Sequence, residues 1–357
     1  MNAKITYLTF ILVISQFAYS QWESRDIITN DNISYPETSK MAMISHTIGI
    51  TEITIKYHRP AVRNRNIFGT LVPYGEVWRA GANESTTIRF QDDVIINGQT
   101  LKSGNYGIHM IPDKDKWTVI FSKNHVQWGS FYYDQSEDAL RVEVTPQVSD
   151  HQEYLTYNFE NIEANKVNIV LKWAGLKIPF TIEVDEIKTT IAVIEDELRT
   201  LPRFSWRGNR EAALYCWLHN TNLDKALKWI DRSISYERRF ENVYQKGLIL
   251  ESLGEIEASN VLINEALKLG SESMFLYVGR EALGHHNSPE KAIELFENAL
   301  KYFPKSYKAK MLIGNAYGWM GKKEKADIAF NDALVLAKNE KETNDIKSYI
   351  NRYKKNY

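Results

Sequence analysis

A chain of 357 residues with 43% hydrophobic and 25% charged residues has the composition of a globular protein, and its length favours two domains. The formal net charge is −1, from 44 Lys and Arg against 45 Asp and Glu. A dedicated nucleic-acid binder carries basic residues concentrated on one face. The nearly equal numbers of basic and acidic residues do not indicate such a face, so we expect no nucleic-acid partner.

The first segment of the chain has the pattern of a secretory signal peptide. Lys4 precedes an apolar run over residues 5–18, and small residues follow at the two positions that a signal peptidase recognises. We expect residues 1–20 to be removed by cleavage before Gln21, which would give a periplasmic or secreted protein. A membrane anchor is the alternative, but the run is shorter than the roughly 20 apolar residues of a spanning helix and is interrupted by Ser15. We therefore expect no transmembrane anchor after cleavage.

Residues 43–185 predict a β domain that follows an N-terminal extension over residues 21–42. Apolar and polar side chains alternate with the period of two that is typical of half-buried strands. The alternating runs cover residues 53–57, 86–90, 106–111, 117–122, 140–145, 154–159, 167–173 and 178–184. Turn residues separate the runs, and Gly175 is expected to make the turn between the last two. Seven to nine short strands predict an antiparallel β-sandwich or barrel, and the period alone does not choose between them.

From about residue 186 the hydrophobic period becomes helical, with residues 186–207 forming a helix and a connector. Alanines then recur 32, 34 and 34 residues apart, at Ala226, Ala258, Ala292 and Ala326. This spacing resembles the tetratricopeptide repeat, in which small residues let two antiparallel helices pack closely and each hairpin stacks on the next. Residues 208–357 thus predict an α-helical tetratricopeptide-like solenoid of four hairpins with a C-terminal capping helix. The first helix of the third hairpin, residues 273–283, shows no clear small-residue pattern.

Stacked helical hairpins usually serve as recognition surfaces, so we expect a protein or peptide partner to bind the repeats. Candidates for the binding groove lie on the first helices of the hairpins: Tyr244, Tyr277, Asn315 and Trp319. The favoured interpretation is an exported, envelope-associated binding protein, in which the β domain recognises an unidentified small molecule or carbohydrate and the repeats bind a protein.

The most distinctive segment of the β domain is the run of residues 59–84, which lacks strand alternation and is longer than a simple connection. Its arginines offer planar forks for a carboxylate or phosphate, and its aromatic and amide side chains are typical of a sugar or small-ligand site. The expected ligand-binding residues are Arg59, Arg65, Tyr74, Trp78, Arg79, Asn83 and Glu84, with His109 from a separate strand.

The alternative for this run is a purely structural role. Arg79 could pair with Glu84 or Glu76 and hold the loop against the sheet. The glycines at positions 69, 75 and 81 would then supply positive φ angles.

Residues 59–84, with the Gly104-x-Tyr106 element and residues 117–123, resemble the secreted bacterial family called domain of unknown function 2911. The resemblance covers roughly residues 40–185, and its most specific part is residues 77–84. Members of that family occur mostly in Gram-negative bacteria, often with a signal peptide, and some have a similar helical tail. The resemblance implies export and these domain limits, and it implies no activity, ligand or catalytic residue.

The sequence contains none of the short hydrolase, zinc-protease or nucleotide-binding motifs, so we assign no catalytic residue, no metal ligand and no cofactor. Two alternatives stay open: a carbohydrate-active enzyme with Glu84 and Arg79 in its site, and a structural scaffold. A glycosidase needs a second carboxylate across a cleft from Glu84.

His58 and His109, from different strands, could converge with Glu84 as a two-histidine, one-carboxylate metal set, although no spacing indicates it. His109 also departs from the family pattern, where an apolar or aromatic residue is usual.

Cys216 is the one cysteine, so the chain can form no intramolecular disulfide. Its apolar helical surroundings predict a small buried residue rather than a nucleophile.

Overall fold

The computed structural model describes residues 36–356. The expected signal peptide, and residues 21–35 of the expected extension, lie outside the described residues. The chain divides into two compact units, a β unit that ends at Glu183 and a helical unit whose continuous part begins at Val184. Strands occupy the first unit and helices the second, which confirms the fold class expected from the sequence.

The β unit is a sandwich of two antiparallel sheets. The strands in chain order are β1 (Lys40–Ile48), β2 (Thr51–Arg59), β3 (Thr86–Phe90), β4 (Val94–Ile96), β5 (Gln99–Leu101), β6 (Gly104–Ile111), β7 (Trp117–Ser122), β8 (Asp138–Val144), β9 (Gln147–Glu160) and β10 (Lys166–Glu183). One sheet has the order β1-β2-β3-β6-β7-β8, and the other has the order β5-β4-β10-β9. Because the two sheets are separate and open, the fold is a β-sandwich and not a barrel.

The alternation of side chains positions the core between the two sheets. On β2, Ile53 and Ile55 are completely buried, while Glu52 and Thr54, which alternate with them, are partly exposed. Inward-facing residues of the two sheets meet, as shown by Phe121 of β7 and Phe180 of β10, whose ring centroids lie 5.8 Å apart. The period of two therefore identifies the buried face of each strand.

The last two expected strands form one strand. β10 runs without a break through Gly175, the residue expected to make a turn, and it pairs with β9 along most of its length. The register shifts between Lys172 and Ala174 and again between Ala174 and Leu176, and Ala174 has a positive φ of 52°. The irregularity that the glycine indicated is therefore local bulging within a strand.

The helical unit consists of a leading helix, four hairpins and a final helix. The helices are α1 (Glu186–Glu197), α2 (Trp206–Leu218), α3 (Leu223–Tyr236), α4 (Phe240–Ser252), α5 (Ile256–Leu269), α6 (Glu272–Gly284), α7 (Pro289–Tyr302), α8 (Tyr307–Trp319), α9 (Lys323–Leu336) and α10 (Glu340–Asn356). Each even-numbered helix from α2 to α8 pairs with the helix after it, and α10 packs on α8 and α9. The first helices also contact one another in succession, from α2 through α4 and α6 to α8. Among residues 36–356, no helix combines the length and the apolar character that crossing a membrane requires.

Small residues set the close approach within the hairpins, although one position differs from the sequence prediction. Ala258 is exposed, and the buried small residue of α5 is its neighbour Ser259. A shift of one residue matters because each step along a helix turns the side chain by about 100°. In α6 the small residue is Gly279, where a Cβ would lie 2.3 Å from the ring of Phe296. The third hairpin therefore has the small residue that the sequence pattern did not reveal.

Two kinds of ionisable group are buried in the helical unit. Arg210 of α2 donates two hydrogen bonds, of 2.9 and 2.5 Å, to the carboxylate of Glu281 on α6, and both residues are less than a tenth exposed. Cys216 is completely buried, and burial raises the pKa of its thiol to about 11. The burial confirms the prediction of a small buried residue, and a protonated thiol is a weak nucleophile.

Candidate functional site

Arg59, the last residue of β2, and Arg65, in the loop that follows, are engaged within the β unit. Arg59 Nε donates to the carbonyl of Leu155 at 3.1 Å, and its Nη2 donates to the hydroxyl of Thr156 at 2.8 Å. Arg65 donates to two backbone carbonyls of its own loop, at 3.0 and 2.5 Å. These arginines therefore hold the loop in place, and the donors used in doing so are not free to bind a carboxylate or phosphate.

Trp78 of this loop packs into the sandwich, whereas Tyr74 remains accessible. The Trp78 indole stacks on Trp173 with ring centroids 5.7 Å apart and 18° between the planes, and its Nε1 donates to the carbonyl of Gly81 at 3.2 Å. Tyr74 is 41% exposed and lies over Gly69. Of the two expected aromatic platforms, one is therefore committed to packing.

The loop glycines have two different physical roles. Gly69 and Gly75 adopt the expected positive φ, 86° and 78°. Gly81 does not, and its lack of a side chain instead permits a close approach, since a Cβ there would lie 2.5 Å from the Thr86 hydroxyl. The neighbouring Ala80 has the positive φ, 52°, and its carbonyl accepts a hydrogen bond of 3.1 Å from Thr86. This hydrogen bond helps to stabilise a conformation that is unfavourable for a residue with a Cβ.

Polar side chains meet around His58 near the end of β2. His58 Nε2 lies 3.2 Å from Glu37 Oε2, and His58 Nδ1 lies 3.4 Å from Glu84 Oε2. Asn83 Nδ2 donates to the same Glu37 oxygen at 3.1 Å. The imidazole of His58 is enclosed, while the Glu84 side chain is 55% exposed. Asn83 and Glu84, two of the expected ligand-binding residues, are therefore joined to His58 and Glu37, of which His58 had been considered with Glu84 as a metal ligand and Glu37 had not been considered.

Arg79 is half-buried and does not pair with a carboxylate in the way that the structural alternative requires. Burial lowers the pKa of Arg79, and the charge of Glu84 acts in the opposite direction. No ion pair joins Arg79 to Glu84 or Glu76 within the described residues, and no described group accepts a hydrogen bond from its buried Nε. Arg79 lines a pocket of about 340 Å³ together with Arg65 and Trp78.

A larger pocket, of about 640 Å³, opens on the outer face of the six-stranded sheet beside His58. Its strand residues are Met41, Lys56, His58, Thr87 and Asn105, and Glu84, Ser85 and the segment 125–128 form further walls. Lys56 and Thr87 are direct cross-strand partners on β2 and β3. The pocket therefore combines outward-facing strand residues with the loop that follows β7.

The loop after β7 can cross this face because Gly107 of β6 leaves room for it. A Cβ at Gly107 would lie 2.6 Å from the carbonyl oxygen of Asn124. Backbone hydrogen bonds then join the loop to the segment before β3, among them Ser85 N to Gln127 O at 3.0 Å. One glycine in a strand thus permits the pocket wall to form.

His109 lies beneath that loop and has a packing and hydrogen-bonding role. Its Nδ1 lies 2.9 Å from the Ser130 hydroxyl, its Nε2 lies 3.3 Å from the Gln127 amide nitrogen, and its ring packs on Tyr133. Burial lowers the pKa of His109 to about 4, with the charge of Asp138 acting in the opposite direction. The imidazole is therefore neutral at pH 7, with one nitrogen donating and the other accepting.

This geometry gives little support to the two chemical alternatives, a metal site and a glycosidase site. His109 does not reach His58 and Glu84, and residues 36–356 contain no group of three or more His, Cys, Asp or Glu that could hold a metal ion. Among the described residues lining the 640 Å³ pocket, Glu84 is the one carboxylate. Glu37 contacts the other nitrogen of His58 and does not line the pocket, so the two carboxylates do not face each other across it as in a glycosidase.

Three of the four groove residues expected in the helical unit are accessible. Tyr277 is 51% exposed, Trp319 is 44% exposed and Asn315 is partly exposed. Tyr244 is 1% exposed, and its ring centroid lies 4.8 Å from that of Phe275. Tyr244 is therefore part of the core and cannot contact a partner without rearrangement.

A groove formed by α6, α8 and α10 carries a cluster of cations that the sequence analysis did not identify. Two pockets of about 230 and 340 Å³ share Arg280 and Lys308, and Arg352 lines the first. None of these three cations forms an ion pair with another described residue. Tyr307 and Tyr349 supply aromatic faces in the first pocket, and Asp345 is its one carboxylate among the described residues.

The fold defines a two-part protein, a β-sandwich followed by tetratricopeptide-like repeats. Residues 39–182 match the model of the family described as Protein of unknown function (DUF2911), which confirms the resemblance predicted from the sequence.

A tetratricopeptide relative and two solved structures are similar to the helical part. The TPR repeat-containing protein MJ1428 of Methanocaldococcus jannaschii is 31% identical over 119 residues, which are 32% of this chain and 21% of the relative. The chain thus matches about a fifth of that relative's length. The MamA crystal structure is 18% identical and covers 42% of this chain and 88% of its own, with a TM-score of 0.25. YrrB, a TPR protein with an unusual peptide-binding site, is 15% identical and covers 46% and 84%, with a TM-score of 0.24. Scores this low carry no inference about function.

Proposed function

We propose that this protein is an exported binding protein whose helical repeats dock an extended, acidic segment of a partner protein. The observation that carries this proposal is the groove of α6, α8 and α10, where Arg280, Lys308 and Arg352 have no ion-pair partner within the described residues. Unpaired cations in a groove favour an anionic occupant, and their charge raises its rate of association.

The shape and surroundings of the groove favour a polypeptide over a small anion. The two pockets adjoin along the first helices of the third and fourth hairpins, since they share Arg280 and Lys308. Tyr307 and Tyr349, which line one of the pockets, are partly exposed and supply apolar contacts beside the charges. An extended segment with carboxylates and apolar residues matches this alternation of cation and apolar surface.

The docking proposal is tested first by site-specific photocrosslinking in the native host. A photoreactive side chain replaces Tyr277, which is 51% exposed on α6, and the matched control replaces Val261, which is 67% exposed on α5. We expect a discrete cross-linked product from position 277 and none from position 261. Equal products at both positions, or none at either, would contradict docking on the first helices.

The cross-linked segment is then identified, synthesised and titrated against the full mature chain. We expect an acidic segment whose affinity falls at least tenfold when Arg280, Lys308 and Arg352 are all replaced by Ala. Lys347→Ala is the matched control, because Lys347 is an exposed cation of α10 that lines neither pocket. A segment without acidic residues, or an affinity that the triple replacement leaves unchanged, would refute the acidic-segment proposal.

Export is proposed on the sequence pattern of residues 1–20. Mass spectrometry of the protein recovered from its native host tests it, and we expect an N-terminus at Gln21. An intact N-terminus at Met1 in the accumulated protein would contradict processing.

We also propose that the β domain binds a second, small ligand in the pocket beside His58.

A further inference from the structure

We propose that the pocket of about 640 Å³ on the outer face of the six-stranded sheet binds a neutral saccharide, with Trp128 as the stacking platform and Glu84 as an acceptor for sugar hydroxyls. This inference rests on the proposed small-ligand role of the β domain and is independent of the helical groove.

Trp128 and Glu84 are placed side by side by the backbone. The two residues form an isolated antiparallel bridge, so they lie directly opposite each other, and both line the pocket. Directly opposed residues have Cβ atoms roughly 5 Å apart. Trp128 is 56% exposed and the Glu84 side chain is 55% exposed, so an indole and a carboxylate are presented to solvent together. An apolar face beside a strong hydrogen-bond acceptor complements a pyranose ring, which has C–H groups on its faces and hydroxyls at its edge.

Glu84 is held in position before any ligand arrives. His58 contacts its carboxylate at 3.4 Å, and the other nitrogen of His58 contacts Glu37 at 3.2 Å. Asn83 donates to the same Glu37 oxygen at 3.1 Å, which completes a chain of contacts from the loop to the acceptor. An acceptor fixed by neighbouring groups loses less freedom when it binds a ligand.

The charges of the lining favour a neutral ligand over an anion or a cation. Lys56 is the one lysine or arginine, and Glu84 the one carboxylate, among the described residues that line the pocket. The remaining polar groups are imidazoles, amides and hydroxyls, such as those of His125, Asn105 and Thr87. A mixture of donors and acceptors without a dominant charge suits a polyhydroxylated molecule, and the volume lies within the range of about 300–1,000 Å³ that small-ligand sites occupy.

The loop that carries Trp128 is fixed to the rest of the β unit by close packing and by hydrogen bonds. Its loop crosses the sheet at Gly107, and it is joined to the opposite wall by hydrogen bonds from Ser85 N and Ser85 Oγ to the carbonyl of Gln127, at 3.0 and 3.1 Å. The same loop carries a second exposed aromatic residue, Phe131, which is 80% exposed and does not line the pocket. The chain thus supplies its own matched control for the stacking platform.

The test uses the mature full chain, residues 21–357, on an array of neutral, acidic and phosphorylated glycans, with each positive glycan then titrated by saturation-transfer NMR. We expect binding to one or more neutral glycans, and a dissociation constant at least tenfold higher for Trp128→Ala than for the wild type. Phe131→Ala should bind like the wild type. Glu84→Gln should also weaken binding several-fold, because an amide replaces one acceptor oxygen with a donor.

Each contrary outcome separates the ligand class from the existence of the site. Binding confined to acidic or phosphorylated glycans, and lost in Trp128→Ala, would overturn the neutral-saccharide class while retaining a ligand in the pocket. Binding that falls equally in Trp128→Ala and Phe131→Ala would overturn the platform. No binding to any glycan at millimolar concentration would overturn both this inference and the proposed small-ligand role, and would leave the docking groove unaffected. Circular dichroism of each variant verifies that the fold is retained.

Discussion

The buried His109 should make the stability of the β unit depend on pH between about 6.5 and 4. The folded pKa of about 4 lies below the value of 6.5 in an unfolded chain. As the pH falls below 6.5, the unfolded state therefore takes up a proton that the folded state does not, and the folded state loses stability until the pH reaches about 4. The loss from this one group amounts to about 2 kcal/mol at pH 5 and about 3 kcal/mol at pH 4.

The perturbation that isolates this effect is His109→Gln, which keeps a hydrogen-bonding side chain and removes the titration. Urea unfolding at pH 7.5 and pH 5 is measured by pulsed hydrogen exchange and mass spectrometry, with peptides from β6 and β7 reporting on the β unit. We expect the wild type to lose about 2 kcal/mol more than the variant between the two pH values. His151→Gln, which replaces an exposed histidine of the same unit, should behave as the wild type. Equal losses in the wild type and His109→Gln would refute the reasoning.

Two further substitutions test the packing of the helical unit. Gly279→Ala should destabilise it, because overpacking costs about 1–3 kcal/mol and exceeds the gain of about 1 kcal/mol in helix propensity. The control is Gly284→Ala in the same helix, where the added methyl group meets open space, and it should be neutral or stabilising. Both are measured by urea unfolding followed by helical circular dichroism. Arg210→Met should cost about 3–5 kcal/mol, because it leaves the buried Glu281 carboxylate without its partner, and adding Glu281→Leu should recover most of that loss. Additive losses in the double variant would contradict the coupling of the pair.

The fold was predictable because it depends on periodicity, which every residue of an element repeats. Strand alternation identified the buried faces, and the spacing of small residues identified four hairpins. The errors occurred where one residue decides the outcome. Gly175 marks a bulge and not a turn, and Ala258 and Ser259 are adjacent small residues that only packing can tell apart. Gly279 escaped notice because its role depends on Phe296, a residue of the next helix.

The candidate pocket was harder to predict, because it consists of residues that are ordinary in sequence. Lys56, Thr87 and Asn105 occupy outward-facing strand positions, where polar residues are expected in any sandwich. They become pocket residues because a loop crosses above them, and the sequence signal for that crossing is a glycine in the middle of a strand, Gly107. A glycine that interrupts an alternating run is therefore the feature from which this pocket could have been found.

The expected site and the observed pocket differ most in how many hydrogen-bond donors and acceptors remain available to a ligand. Arg59 and Arg65 have the chemistry of ligand-binding residues, but backbone carbonyls and a hydroxyl already accept from them. Glu84 contacts one imidazole at 3.4 Å and keeps more than half of its side chain exposed. Because a carboxylate accepts at about four lone-pair positions, Glu84 retains most of its hydrogen-bonding capacity. Residue type alone cannot separate these two situations, since the same arginine fork serves equally well to hold a loop or to hold a ligand. What separates them is whether the fold has already satisfied the group, and by that criterion Glu84, in the pocket beside His58, has unused hydrogen-bonding capacity, as does the buried Nε of Arg79 in the smaller pocket.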